Sequence, residues 1–245
     1  MADRHVDLAN NLEQVQNRIR AACETGGRSA DEVTLVAVTK FFPASDVEHL
    51  AALGVRDIGE SRDQEAGAKV AELALDVRSA LTVHFVGQVQ TNKANHVARY
   101  ADVVQSVDRT KLARALDRGA AQALYAGERH MPLAVTIQVD LGEGADRGRG
   151  GALPEEVPAL AEVVVGAEHL DLRGVMAVAP LGLDDAGTAA AFERLMTLSA
   201  SMRSDYPDAT WVSAGMSADL ELAIRAGATH LRVGTAILGS RASHR

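Results

Sequence analysis

The sequence predicts a single α/β domain: a (β/α)8 barrel of the TIM type with one extra helix at its N-terminus. Three observations carry that reading. Eight short apolar runs alternate with helical patterns, which implies βαβ units and a parallel sheet. The first run, Val33 to Thr39, is almost continuously apolar or β-branched, as strands covered on both faces are. Eight such units also suit a chain of 245 residues closed into a barrel. An open, doubly wound sheet is the competing arrangement on pattern alone.

In order along the chain, Leu8, Leu12, Val15, Ile19 and Cys23 recur at spacings of three and four, the mark of an amphipathic helix. Gly26 and Gly27 end it. After the first strand, apolar runs sit near 55–58, 82–86, 102–107, 133–139, 170–178, 210–213 and 229–233. Helical patterns lie between them near 44–53, 62–75, 92–99, 109–124, 154–166, 185–204 and 218–226. No composition shift marks a second domain, so residues 1–245 are expected to form one. The stretch from Gly142 to Gly151 follows a strand and is rich in glycine, which reads as a mobile barrel-top loop. Its glycine spacing matches no phosphate-loop fingerprint, although a phosphate cradle is the alternative.

Hydrophobic residues make up 47% and aromatics only 3%, so aliphatic side chains must fill the core. Base-stacking nucleic-acid readers carry more aromatic surface. A net charge of −8 repels polyanions and argues against nucleic acid or an anionic membrane as partner. The one cysteine, Cys23, excludes an intramolecular disulfide, fits a reducing compartment and falls on an apolar helix face, as a buried thiol would. The start lacks the apolar core of a signal peptide, and no apolar stretch reaches the roughly 18 residues of a membrane span. These features predict a cytoplasmic protein.

In such barrels, functional groups sit where strands end. Lys40 follows the first strand and precedes Phe41-Phe42-Pro43, and Pro43 cannot continue the ladder. A lysine losing hydration there would favour its neutral, nucleophilic amine, which condenses with aldehydes. A snorkelling strand-end lysine is the alternative. Barrel closure sets the eighth strand beside the first, so Arg232 and Lys40 come from neighbouring strands, and a guanidinium nearby would depress the lysine further. A structural ion pair is the other reading of Arg232. Two loops rich in small residues follow strands seven and eight, Ser213 to Asp219 and Gly234-Thr235-Ala236. Loops in those positions commonly build a phosphate site, and Ser217 is a candidate N-cap of the next helix. Together the lysine and both loops describe a pocket for a phosphorylated aldehyde.

Five ordered motifs carry a family resemblance: Val36-Ala37-Val38-Thr39-Lys40, Asp57-Ile58-Gly59-Glu60, His84 through Lys93, Ser213 through Asp219, and Arg232 through Gly239. From about Leu35 to Arg241 the chain resembles the pyridoxal phosphate homeostasis proteins, also called the proline synthetase co-transcribed family. The resemblance implies the barrel domain of alanine racemases without their second, β domain. It implies pyridoxal 5′-phosphate held as a Schiff base on Lys40, with Arg232 facing the pyridine nitrogen. Ser213, Gly215, Met216, Ser217, Gly234 and Thr235 would surround the phosphate. Ser61 stands where the family usually has an Asn beside the cofactor, and a shorter hydroxyl does not reproduce both amide bonds. Ala214 replaces a commonly larger residue. His84 reads as a satisfied core imidazole, Lys93 as a solvated charge at a helix start, and Asn92 takes no defined role.

Arginine can only donate, so a ring nitrogen facing Arg232 stays unprotonated and a poor electron sink. Racemases with this arginine rely on two opposed bases, one a tyrosine of the missing domain. Tyr100, Tyr125 and Tyr206 all fall on or just after predicted helices, away from strand exits. The expectation is therefore a monomeric, non-catalytic carrier that holds the cofactor and supplies it to apo-enzymes in transient contacts. A narrow racemase or lyase, and a cofactor-free Schiff-base aldolase acting on sugar phosphates, are the alternatives.

Overall fold

The computed structural model describes residues 4–142 and 150–239, and in it eight parallel strands close into a barrel in chain order. They are β1 (Thr34–Val38), β2 (Asp57–Glu60), β3 (Thr82–Phe85), β4 (Val103–Val107), β5 (Leu133–Val139), β6 (Leu170–Ala177), β7 (Trp211–Ser213) and β8 (His230–Val233). Pairing of β1 with β8, Val36 opposite Arg232, closes the ring and excludes the open sheet. All strand exits therefore open on one mouth.

Helices α1 (Arg4–Thr25), α2 (Ala44–Ala52), α3 (Asp63–Glu72), α4 (Leu75–Ser79) and α5 (Ala94–Tyr100) cover the first half. The second half carries α6 (Thr110–Tyr125), α7 (Val157–Val165), α8 (Asp185–Asp205), α9 (Leu220–Ala226) and α10 (Thr235–Leu238). The extra helix α1 buries the predicted stripe, Leu8, Leu12, Val15, Ile19 and Cys23, and packs against α2, α9 and α10. Polar contacts lock it there: Arg18 Nε donates to Glu221 Oε1 at 2.7 Å, and Asn11 Nδ2 donates to the Ile237 carbonyl at 2.9 Å. Burial pushes the Cys23 thiol above its ordinary range, which suits an inert position.

One predicted helix is two. The pattern over 62–75 gives α3, then an extended Leu73 and Ala74, then the short α4. Leu73 is buried while Leu75 is exposed, so breaking the helix lets one leucine reach the core at the expense of the next. Of the glycine-rich stretch expected as a mobile loop, residues 143–149 lie outside the described residues. Its closing end is anchored, with Gln138 Nε2 donating to the Gly150 carbonyl at 2.8 Å and Ala152 bridging to Val139. No described helix is long and apolar enough to cross a membrane.

Candidate binding site at the barrel mouth

Lys40 stands one residue beyond Thr39, whose amide still makes a ladder bond to Gly59. There the chain turns. Phe42 N donates to the Thr39 carbonyl at 3.1 Å, so Lys40 and Phe41 are the central residues of a four-residue turn. Phe41 has φ 71°, the left-handed conformation that the third position of a type II turn normally reserves for glycine or asparagine. The Lys40 side chain is exposed, so the loss of hydration expected of it at the mouth is not met. Arg232 does come from the neighbouring strand, but its register partner is Val36, four residues before Lys40.

Arg232 lies deep in the barrel, with 5% of its surface exposed. Burial pulls its guanidinium down to about 10, so it remains charged at neutral pH. Its partners are a hydroxyl and a carbonyl: Nη1 donates to Ser213 Oγ at 2.6 Å and Nη2 to the Ala177 carbonyl at 2.7 Å. Among the described residues no carboxylate pairs with it, which sets aside the structural ion pair.

The chain of bonds continues across the barrel interior. Ser213 Oγ donates to Gln105 Oε1 at 2.7 Å, Gln105 Nε2 lies 2.9 Å from His84 Nδ1, and His84 Nε2 lies 2.8 Å from Asp57 Oδ1. Since Gln105 Oε1 accepts from Ser213, Gln105 Nε2 must donate. His84 then keeps its proton on Nε2 and gives it to Asp57. Five residues from β8, β7, β4, β3 and β2 thus form one polar file where barrels usually stack branched aliphatic side chains. His84 is fully buried with both nitrogens partnered, the satisfied imidazole the sequence suggested. The file itself was not visible in the sequence: short apolar runs mark the strands, but not which polar residues meet across a closed ring.

The loops after β7 and β8 do come together. Ala236 N donates to Ser217 Oγ at 3.4 Å, and Arg232 N donates to the Gly215 carbonyl at 2.9 Å. Gly215 is required where it stands: φ is +91°, and a Cβ there would meet the Ala223 Cβ at 2.6 Å. A Cβ on Gly234 would press on the Val38 carbonyl at 3.2 Å, so the β8 loop lies directly against the exit of β1. Met216, Ser217 and Gly234 are half-buried and Thr235 is exposed. Ser217 does not cap α9. That position belongs to Asp219, whose Oδ1 accepts from Met216 N at 2.6 Å, because the loop keeps Ser217 for its bond to the β8 loop. The Ser213 hydroxyl is committed to Arg232 and Gln105.

Beside this site a cavity of about 440 Å³ opens between the loops after β2 and β3, lined by Ser61, Arg62, Glu65, Gln88, Gln90 and Lys93 among others. Lys93 lies 3.9 Å from Asp63 Oδ2, and Asn92 is exposed in the turn before α5. Among the described residues no cluster of metal-ligating side chains occurs.

The family described as the N-terminal domain of alanine racemase matches residues 8–242. The pyridoxal phosphate homeostasis protein of Mycobacterium tuberculosis H37Rv is 42% identical over 247 residues, 98% of this chain and 95% of the relative. The protein of that name from Escherichia coli K12 is 34% identical over 235 residues, 96% of this chain and 97% of the relative. PipY of Synechococcus elongatus PCC7942, solved with PLP bound, superposes with a TM-score of 0.79 at 34% identity, covering 95% of this chain and 100% of PipY. An alanine racemase of Corynebacterium glutamicum gives a TM-score of 0.65 at 16% identity over 98% of this chain and 62% of its own, a likeness of fold alone.

Proposed function

The chain belongs to the pyridoxal phosphate homeostasis protein family, and from that premise we propose that it holds pyridoxal 5′-phosphate reversibly through Lys40 as part of intracellular cofactor homeostasis. The observation that carries the reading is Arg232, a buried guanidinium with no carboxylate partner among the described residues, set below the mouth that Lys40 and the two small-residue loops share. A donor set of this kind fits the group. Lys40 would supply the amine. Gly215, Met216, Ser217, Gly234 and Thr235 would surround the phosphate, with Ser213 holding Arg232 in place beneath them. Arg232 would face the ring nitrogen.

When bound, the cofactor supplies an aldehyde that condenses reversibly with primary amines. The residues of this chain favour holding over turnover. Arg232 offers only donors, so it leaves the ring nitrogen unprotonated and the electron sink weak. Tyr125 ends α6 in an exposed position and Tyr206 follows α8. The Tyr100 hydroxyl donates to Asp63 Oδ1 at 3.3 Å beside the exit of β2, where burial pushes it above its ordinary range and keeps it protonated, a poor base. No second base is evident among the described residues. Supply of the cofactor to apo-enzymes by transient contact, from a monomer in the cytoplasm, completes the reading.

The test is an absorbance spectrum of the wild type and Lys40→Ala after mixing with pyridoxal 5′-phosphate. The wild type should develop the visible band of the covalently held cofactor, and the variant should not. A band of equal strength in the variant would remove Lys40 from the site.

A further inference from the structure

A buried ion cluster grips the chain on both sides of Lys40. Lys69, on α3, has only 5% of its side chain exposed, and its Nζ donates to the Thr39 carbonyl at 2.8 Å, to Glu60 Oε1 at 2.7 Å and to Glu65 Oε1 at 3.3 Å. Glu60 is fully buried and also accepts from Thr39 Oγ1 at 2.7 Å. Glu65 in turn accepts from the backbone N–H of Phe41. The residue before Lys40 is thus held at its carbonyl and its hydroxyl, and the residue after it at its amide.

These bonds fall on a turn that does not hold itself. Phe41 occupies left-handed backbone space, which a side chain with a Cβ enters only when its surroundings compel it. The bond to Glu65 supplies that compulsion from one side, and the Arg62 guanidinium, 5.4 Å from the Phe41 ring centroid, supplies it from the other. A Glu and a Lys four apart on a helix ordinarily face water as a weak pair. Here they turn inward, onto the backbone beside an exposed amine.

We propose that Glu65, with Lys69 and Glu60 behind it, is a positioning device that sets the Lys40 turn and so presents the Lys40 amine to an aldehyde in one orientation. The inference rests on the reading of Lys40 as the cofactor anchor. Coupling joins the amine nitrogen to the aldehyde carbon as a C=N bond, and the aldehyde oxygen departs as water with the two amine protons. None of the three residues takes part in that exchange. They act on it only through the backbone on either side of Lys40.

Glu65 is partly exposed, so its variants should fold. Glu65→Ala removes the acceptor for Phe41, whereas Glu65→Gln keeps an oxygen there. Stopped-flow absorbance with pyridoxal 5′-phosphate should show coupling slowed about tenfold or more in Glu65→Ala, as misorientation of a reacting group predicts, and near wild-type coupling in Glu65→Gln. Affinity for pyridoxine 5′-phosphate, which has no aldehyde to couple, should be the same in all three. Coupling at the wild-type rate in Glu65→Ala would overturn the proposal. So would equal slowing in both variants, or slowing matched by weaker binding of pyridoxine 5′-phosphate, since either marks a general loss of the site. Absence of a band in the wild type would instead refute the assignment of Lys40 itself.

Discussion

Arg232 Nη1 donates to the Ser213 hydroxyl at 2.6 Å, and because a guanidinium can only donate, that bond sets the direction of every bond behind it. Ser213 must pass its own proton to Gln105, Gln105 must donate to His84, and His84 to Asp57. Ser213→Ala strands a buried cationic N–H and a buried amide oxygen together, which costs about 1–3 kcal/mol for each unpaired group. The thermal midpoint should fall by about 2–4 °C per kcal/mol in a chain of this size. Adding Gln105→Ala should cost less than its effect alone, because both residues serve one file. Strict additivity in scanning calorimetry would show that the file is not a unit.

On the proposed reading, the same guanidinium would govern what the bound cofactor does next. If Arg232 faces the ring nitrogen as proposed, it offers only donors there, and with the Tyr100 hydroxyl held on Asp63 the loaded protein should leave L-amino acids unchanged. Chiral chromatography after prolonged incubation with each common L-amino acid should find no D-isomer above the level given by free pyridoxal 5′-phosphate. Sustained turnover would replace the carrier with a racemase or lyase.

Much of this was legible in the sequence. The eight strands and the covering helices follow from apolar runs whose period and length leave little choice, and Lys40 stands out because Pro43 ends its strand. What stayed hidden depends on closure. His84, Gln105 and Ser213 sit on separate strands, and only the completed ring shows that they touch. Nothing in the sequence singles out Lys69 and Glu65, because periodicity cannot show that one face of α3 lies over the exit of β1. Leu73 likewise breaks a helix that local propensity would continue, since burial against the core outweighs helical continuity.

Gly215 offers a sharper test of the loops. Gly215→Ala puts a Cβ at left-handed φ and within 2.6 Å of Ala223, so backbone strain and overpacking add. The expected loss is about 2–4 kcal/mol, read as a lower midpoint in urea with an unchanged slope. Affinity for inorganic phosphate should weaken as well. A drop in stability with full retention of phosphate binding would separate this loop from the anion site.

At the N-terminal end of the strands, His230 packs on Trp211 with ring centroids 4.2 Å apart, and burial pulls its imidazole from the ordinary 6.5 down to about 3, with Arg232 and Arg173 pushing the same way and Asp57 opposing them. The folded protein therefore keeps His230 neutral where the unfolded chain would protonate it. Between those two values the unfolded state binds the extra proton, so stability from this residue is complete above pH 6.5 and drains away as the pH falls toward 3. His230→Phe keeps an aromatic ring against Trp211 and removes the titration. Urea denaturation at a series of pH values should show the wild type losing a few kcal/mol through that window, beyond what its carboxylates cause, and the variant losing less. Parallel acid limbs in the two proteins would mean that His230 titrates alike folded and unfolded, and that its packing on Trp211 does not exclude its protonated form.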